Sequence, residues 1–316
     1  MKQNNDSFGI IFRLTDEGDT HGQYMSGVIE NCPAGVAIDE GFIQAELARR
    51  APSRDANSTK RREPDVVEFT SGIINNLTTG EPIRFKIANK DVKVDESRRY
   101  IIKPSHASYV YRQKYGAKSN EECGRASARQ TVCRVVAGAI AKQYLCQFGI
   151  TITAEVLSTG KPSCEGDTFG AKVGCCISNL PAGLGEPVYN KFSARLAFAM
   201  MSINAAKGFE IGEGFASADM SGSVYNDTQN PDFSFNSNHD GGVQAGITNG
   251  QEVYFRVAFK PIPSIQMEQN TIDFEGKPVV YKASERNDKC VAPRVLPVVE
   301  AMAAMVVADF MLLSTL

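Results

Sequence analysis

The stretch "VLPVVEAMAAMVVADFMLLSTL", residues 295–316, is apolar around its whole circumference apart from Glu300 and Asp309. A helix without a polar face has to be enclosed, so the rest of the chain must supply layers that cover it from several sides. The two acids interrupt what would otherwise be a membrane span, and the stretch reads as a buried C-terminal helix of a soluble protein. A second run, "ECGRASARQTVCRVVAGAIAKQYL" at 122–145, carries Val132, Val135, Val136, Ala139, Ile140, Tyr144 and Leu145 over much of a helical surface. Its spacing predicts a central, buried helix from about Ser127 to about Phe148.

With 316 residues, 42% hydrophobic and 22% charged, the chain can build one large core or two modest ones. A formal charge of −2 excludes a whole-surface attraction to nucleic acid or to an anionic membrane, so any anion site must be local. The start, "MKQNNDSFGIIFRLTD", has no secretory signal pattern, and the expected location is cytoplasmic. Cysteines 32, 123, 133, 146, 164, 175, 176 and 290 form no CxxC pair and read as reduced thiols, with Cys133 and Cys146 inside the apolar helical pattern. Histidines 21, 106 and 239 have no metal-ligand spacing, which argues against a zinc site.

Strands are expected at "FGIIFRL", "GVIENCPAG", "VVEFTSGII", "PIRFKIA" and "EVYFRVAFKP", with a Thr-Thr-Gly turn at 78–80 between the third and fourth. "DEGFIQAELARR" predicts a short helix capped by Asp39, and further helices are expected at 191–203 and 296–314. "KGFEIGEGF" and "NHDGGVQAGITNG" read as Gly-rich loops. Strand pairs alternating with isolated long helices give an α+β class, with antiparallel β-sheets packed on α-helices.

In "GRASARQT", Arg125, Ser127 and Arg129 either bind an anion at a helix start or comprise an N-cap with solvated arginines. The basic span 49–62, with Arg49, Arg50, Arg54, Lys60, Arg61 and Arg62, is either a polyanion or nucleic-acid site or a solvated charged loop. His21 in "DTHG" and His106 in "PSHASY" occupy turn-like polar segments, where an imidazole is available for proton transfer near neutral pH; His239 is ambiguous.

Taken in order, "GDTHG", "KPSHASYVYRQKYG", "GRASARQTVCRVVAGAIAKQYL", "PAGLGEPVYNKFSARLAFAMMSINAAKGFEIGEGF", "SNHDGGVQAGITNGQEVYFRVAFKPIPSI" and "RNDKCVAPRVLPVVEAMAAMVVAD" resemble the chorismate synthase family. The resemblance covers nearly the whole chain and implies one domain, 1–316, with antiparallel sheets sandwiching central helices, assembled as a homotetramer. It implies a lyase that converts 5-enolpyruvylshikimate 3-phosphate to chorismate and phosphate by anti-1,4-elimination. Reduced FMN is the implied cofactor, with NADPH as an indirect reductant and an external flavin reductase as a partner; no nucleic acid or membrane is implied. His21 is then the acid at the leaving phosphate, His106 the imidazole beside the flavin, and Asp288 the carboxylate used in removing the ring proton. Flavin contacts fall on Arg125, Ala126, Ser127, Asn204, Ala205, Ala245, Lys260, Pro261, Ile262, Pro263, Ser264 and Arg286. Arg50, Arg54, Arg129 and Arg294 are the implied contacts to substrate or NADP.

The chain departs from the family pattern at Asp19, Thr20, Lys103, Ser108, Ala126, Gln130 and Asn287. A basic residue expected in the loop is Ala56, beside Arg54, and "LSTGKPSCEGDTFGAK" is shorter than the family's connection. These changes bear on efficiency more than on fold, and they leave two alternatives: a catalytically weakened homologue that binds flavin or a phosphorylated ligand, and a nucleic-acid-binding protein using the 49–62 loop.

Overall fold

The structure is a computed structural model that describes residues 6–20, 22–52, 64–90, 100–116, 123–284 and 287–314. In the N-terminal half, β1 (Ser7–Phe8), β2 (Arg13–Gly18) and β3 (Tyr24–Glu30) precede the helix α1 (Glu40–Arg50). Asp39 caps α1 as expected, accepting from the Phe42 N–H at 3.1 Å. Then come β4 (Val67–Ser71), a small hairpin of β5 (Ile73–Ile74) and β6 (Leu77–Thr78), and β7 (Ile83–Ala88). The larger strands form an antiparallel sheet in the order β1-β2-β3-β7-β4. Period-two patterning sets its inner face: Ile83, Phe85 and Ile87 of β7 are buried, while Arg84 is exposed.

After α2 (Ser108–Tyr115) and α3 (Thr131–Cys146), the C-terminal half contributes β8 (Thr151–Thr159), β9 (Ala171–Ser178), α4 (Phe192–Met201) and β10 (Ala206–Ile211). A short α5 (Gly222–Tyr225), the hairpin β11 (Val243–Gln244) and β12 (Ile247–Thr248), and β13 (Val253–Phe259) follow. The hairpin β14 (Gln269–Ile272) and β15 (Pro278–Tyr281) precedes α6 (Leu296–Leu313). The second sheet is antiparallel, ordered β10-β13-β9-β8. Its connection from β8 to β9 is a direct loop over 160–170.

The two apolar helices lie where their patterning requires. Helix α3 packs on α6, with β2 and β3 on one side and β8 and β9 on the other, and α1 and α4 complete the middle layer. The α+β class, with antiparallel sheets enclosing central helices, is therefore as expected. The two helices approach closely at Gly138, where an added Cβ would lie 2.2 Å from the Ala301 Cβ and 2.3 Å from its Cα. Ala normally gains about 1 kcal/mol over Gly inside a helix, but here α3 and α6 would have to separate. Gly138→Ala is expected to destabilise by about 3 kcal/mol, the upper part of the overpacking range, read as a lower urea midpoint.

Several boundaries differ from expectation, each for a local reason. The long helix begins at Thr131 and not at Ser127, because two 3-10 turns, Cys123–Ala126 and Ala128–Gln130, precede it. The Asn75-Asn76 pair, both with positive φ, makes the tight turn between β5 and β6, instead of the Thr-Thr-Gly segment. "KGFEI" is strand β10, not loop; neither β8, β9 nor α2 was anticipated, and the first β-pairing extends through the polar "TDEG" to Gly18. Cys146 is exposed at the end of α3, although Cys133 is buried.

Candidate active site

Two consecutive arginines close α1, about 100° apart around the helix; Arg50 is buried, whereas Arg49 stays exposed and reaches buried acids from the surface. Arg49 makes a two-point contact with Glu300, Nη1 to Oε2 and Nη2 to Oε1, each 2.7 Å, and also meets Glu46. Arg50 points to the other side, where its Nε donates to Thr131 Oγ1 at 3.2 Å and its Nη1 to Asp65 Oδ2 at 3.4 Å. Two cations of the 49–62 span are thus engaged by carboxylates, Arg50 inside the fold and Arg49 at its surface with 41% of its side chain exposed. Arg54, Ala56 and the remainder of that basic loop lie outside the described residues, as do His21 and Arg286.

Asp65 is 1% exposed, adopts φ 46°, and serves a second arginine: Arg129 Nη1 donates to its Oδ1. Arg129 Nε donates to Asn89 Oδ1 at 3.1 Å. Its remaining nitrogen, Nη2, is buried and has no hydrogen-bond partner among the described residues. An unmet guanidinium donor in a buried setting calls for an anionic acceptor. Arg294 joins the cluster, its Nε donating to the Arg50 carbonyl at 2.9 Å and its Nη1 pairing with Asp288. The fold therefore gathers Arg50, Arg129, Arg294 and Asp288, which are separated by up to 244 residues along the chain.

The second cluster forms where α4 runs into β10 and β13 ends. Asn204 Nδ2 donates to the Ala126 carbonyl at 2.9 Å, and the Lys260 N–H donates to the Ala205 carbonyl at 2.9 Å. Lys260 Nζ donates to the Ser105 carbonyl at 3.0 Å, next to His106. The 261–264 loop is tied down by Thr168 Oγ1, which donates to the Ile262 carbonyl at 2.7 Å. Ala245 stands apart, exposed at the tip of the β11–β12 hairpin. That hairpin meets the start of α4, where the Phe192 N–H donates to the Gly246 carbonyl at 2.8 Å. The ten residues of α4 place it about 15 Å from Asn204.

Residues 124–130 join the two clusters, but not as a helix start that presents its arginines to an anion. Ser127 caps only the second 3-10 turn, its Oγ accepting from the Arg129 N–H at 3.2 Å. The Arg125 guanidinium turns back to the Gly18 carbonyl at 2.9 Å, Gln130 Oε1 at 3.2 Å and Asp6 Oδ1 at 2.5 Å. Arg125 and Arg129 are thus not a pair of solvated charges, and of the two only Arg129 has a buried donor left unmet among the described residues. Beside Arg125, burial lifts the Asp16 carboxyl to about 6, against the pull of Arg134 and Arg125.

His106 departs from the sequence expectation in its acidity. Burial pushes its imidazolium down to about 4, and the ammonium groups of Lys103 and Lys260 add to the effect. Its Nδ1 accepts from the Ser108 N–H at 3.3 Å, so the neutral ring carries its proton on Nε2. The unfolded chain binds this proton below about pH 6.5, whereas the folded chain binds it only below about 4. Between those values the unfolded state holds more protons, so this contribution to stability is complete above about pH 6.5 and is lost as pH falls. His106→Gln should remove on the order of 2 kcal/mol of the stability difference between pH 7 and pH 5. Urea midpoints of parent and variant at the two pH values measure it.

Sequence reasoning missed Asp65, Asn89 and Ser105, each of which holds a site residue in place. Asp65 lies three residues beyond the basic 49–62 span, and that is its only signal.

A family model for chorismate synthase matches residues 12–165 and 161–312. The chain is 44% identical over 349 aligned positions to the chorismate synthase of Phocaeicola vulgatus, covering 97% of this chain and 98% of that one. It is likewise 44% identical, with the same coverage, to the chorismate synthase of Bacteroides thetaiotaomicron. A crystal structure of a chorismate synthase matches with a TM-score of 0.74 at 28% identity, covering 97% of this chain and 93% of that one. With the buried arginine cluster, the neutral histidine and the sandwich that positions them, these matches establish that the chain belongs to the chorismate synthase family of lyases.

Proposed function

We propose that the buried arginines hold 5-enolpyruvylshikimate 3-phosphate, and that the neighbouring cluster of Ala126, Ser127, Asn204, Ala205, Lys260 and Ser264 holds reduced FMN. The unmet Arg129 Nη2 carries this reading, because a buried cationic donor fits a phosphate or carboxylate oxygen of the substrate. The flavin set fits by chemistry: an ammonium, a carboxamide, a hydroxyl and backbone groups suit a phosphorylated, hydrogen-bonding heterocycle. Arg286 belongs to this set by resemblance; Ala245 lies outside the cluster within one protomer.

The reaction breaks the ring C–O bond to phosphate and a ring C–H bond, and forms one C=C bond. Arg50, Arg129 and Arg294 offset the substrate's negative charge and orient the leaving group. His21 supplies the proton to the departing phosphate. Asp288, paired with Arg294, is the carboxylate on the path of the ring proton. Bound reduced FMN supplies electron density to the substrate with no net redox change. His106, neutral at pH 7, would offer the cofactor an Nε2–H donor and not a cation. A homotetramer in the cytoplasm, served by an external flavin reductase with NADPH as the indirect reductant, completes the proposal.

The test is anaerobic incubation of the protein with 5-enolpyruvylshikimate 3-phosphate and chemically reduced FMN. Chorismate should form catalytically without net flavin oxidation, and oxidised FMN alone should support none. One flavin oxidised per product, or flavin binding with no turnover, overturns the reading; the latter outcome identifies a weakened homologue.

A further inference from the structure

We infer that Asn89 is a positioning residue that ties the anion-holding Arg129 to the backbone on either side of His21. The residue follows β7, and its carboxamide uses three of its four hydrogen-bonding sites on these two elements alone. Oδ1 accepts from Arg129 Nε at 3.1 Å. Nδ2 donates to the Gly22 carbonyl at 2.9 Å and to the Asp19 carbonyl at 3.1 Å. The orientation of the amide is fixed by its partners: a guanidinium can only donate and two carbonyls can only accept, so a flipped amide would lose all three bonds.

The same turn is closed on itself and held from one further direction. Thr20 Oγ1 donates to the Gly124 carbonyl at 3.0 Å, and the Gly22 N–H donates to the Asp19 carbonyl at 3.0 Å. Gly124 is packed against the Asp19 carboxylate so tightly that a Cβ there would meet it at 2.2 Å. These contacts fix the turn to the 3-10 segment. Asn89 alone among the described residues bonds both the turn and Arg129 by its side chain. A shift of the guanidinium on anion binding is therefore coupled, through Asn89, to the Asp19 and Gly22 carbonyls that flank residue 21.

This inference rests on the reading of His21 as the acid, and the experiment separates the two. Asn89→Ala removes both connections. Asn89→Asp keeps an acceptor for Arg129 but turns a carboxylate oxygen toward two carbonyls, so it breaks the turn side selectively. In the parent background either substitution is expected to lower kcat by about 10- to 100-fold, the cost of a small misplacement. In a His21→Ala background the same substitutions should change kcat by less than about threefold, because the group they position is gone. Equal fold-losses in the two backgrounds, or a parent-like kcat for Asn89→Asp, overturn the inference. A His21→Ala protein with parent activity overturns the acid assignment itself, and the role of Asn89 falls with it.

Discussion

Arg129→Lys is expected to fold and to lose about 10- to 100-fold in kcat/KM, most of it through KM. The argument is one of geometry. Arg129 divides its guanidinium among Asn89 by Nε, Asp65 by Nη1 and an open direction by Nη2, and only a planar fork spans all three. A lysine ammonium placed to satisfy Asp65 cannot also reach the anion at the far side of the fork. Losing one hydrogen bond to a charged group costs roughly 1.5–3 kcal/mol, which is the fold-loss stated. Arg129→Met adds a stability defect, because Asp65 is buried and its carboxylate would keep, among the described residues, only the 3.4 Å contact from Arg50. Breaking a buried pair from one side costs about 3–5 kcal/mol, so the Met variant should show a lowered urea midpoint as well as lost activity. A Lys variant with parent kcat/KM would mean that Nη2 does not meet the substrate.

The same residue shows how far the sequence carries. The apolar circumference of 131–146 and 296–313 was enough to place two central helices, and the strand alternation was enough to expect antiparallel sheets over them. Strand β8 escaped because its pattern is weak: only Ile152 is buried in nine residues, so no period-two stripe marks it. Helix α2 escaped because only Ser108 in it is buried. At the site, arginines stand out by type, but it is the family resemblance that singles out Arg50, Arg129 and Arg294. Which of them has a donor to spare is decided by partners such as Asp65 and Asn89, drawn from distant positions. A single Asp or Asn at a loop end has no periodicity and no spacing rule to announce it. The direction of a side chain is likewise silent: Arg49 and Arg50 are neighbours in sequence, yet one braces the core and the other faces the candidate site.

The brace that Arg49 joins gives the second large effect. Glu300 sits in the apolar helix α6, 3% exposed, and accepts from Arg49 twice, from Lys142 Nζ at 2.5 Å and from the Ala154 N–H at 3.0 Å. Glu46 shares both cations, at 2.7 Å to Arg49 and 2.6 Å to Lys142, so two acids balance two bases. One carboxylate thereby connects α6 to α1, α3 and β8. Glu300→Ala leaves two cations competing for Glu46 and strands the Ala154 N–H, and a loss of about 3–5 kcal/mol is expected. Glu300→Gln keeps an acceptor for Ala154 and should lose less. The pH dependence supplies an independent check. Although burial works against its charge, the hydrogen bonds and charges of Arg49 and Lys142 hold the Glu300 carboxyl below its ordinary value. A depressed carboxyl stabilises the fold above its unfolded value of about 4.3, and that contribution is lost as pH falls through the folded value. The parent should therefore lose stability more steeply than Glu300→Gln on acidification below about pH 4.3, as read from urea midpoints. Parallel curves for the two proteins would show that the cluster contributes packing but no net electrostatic stabilisation.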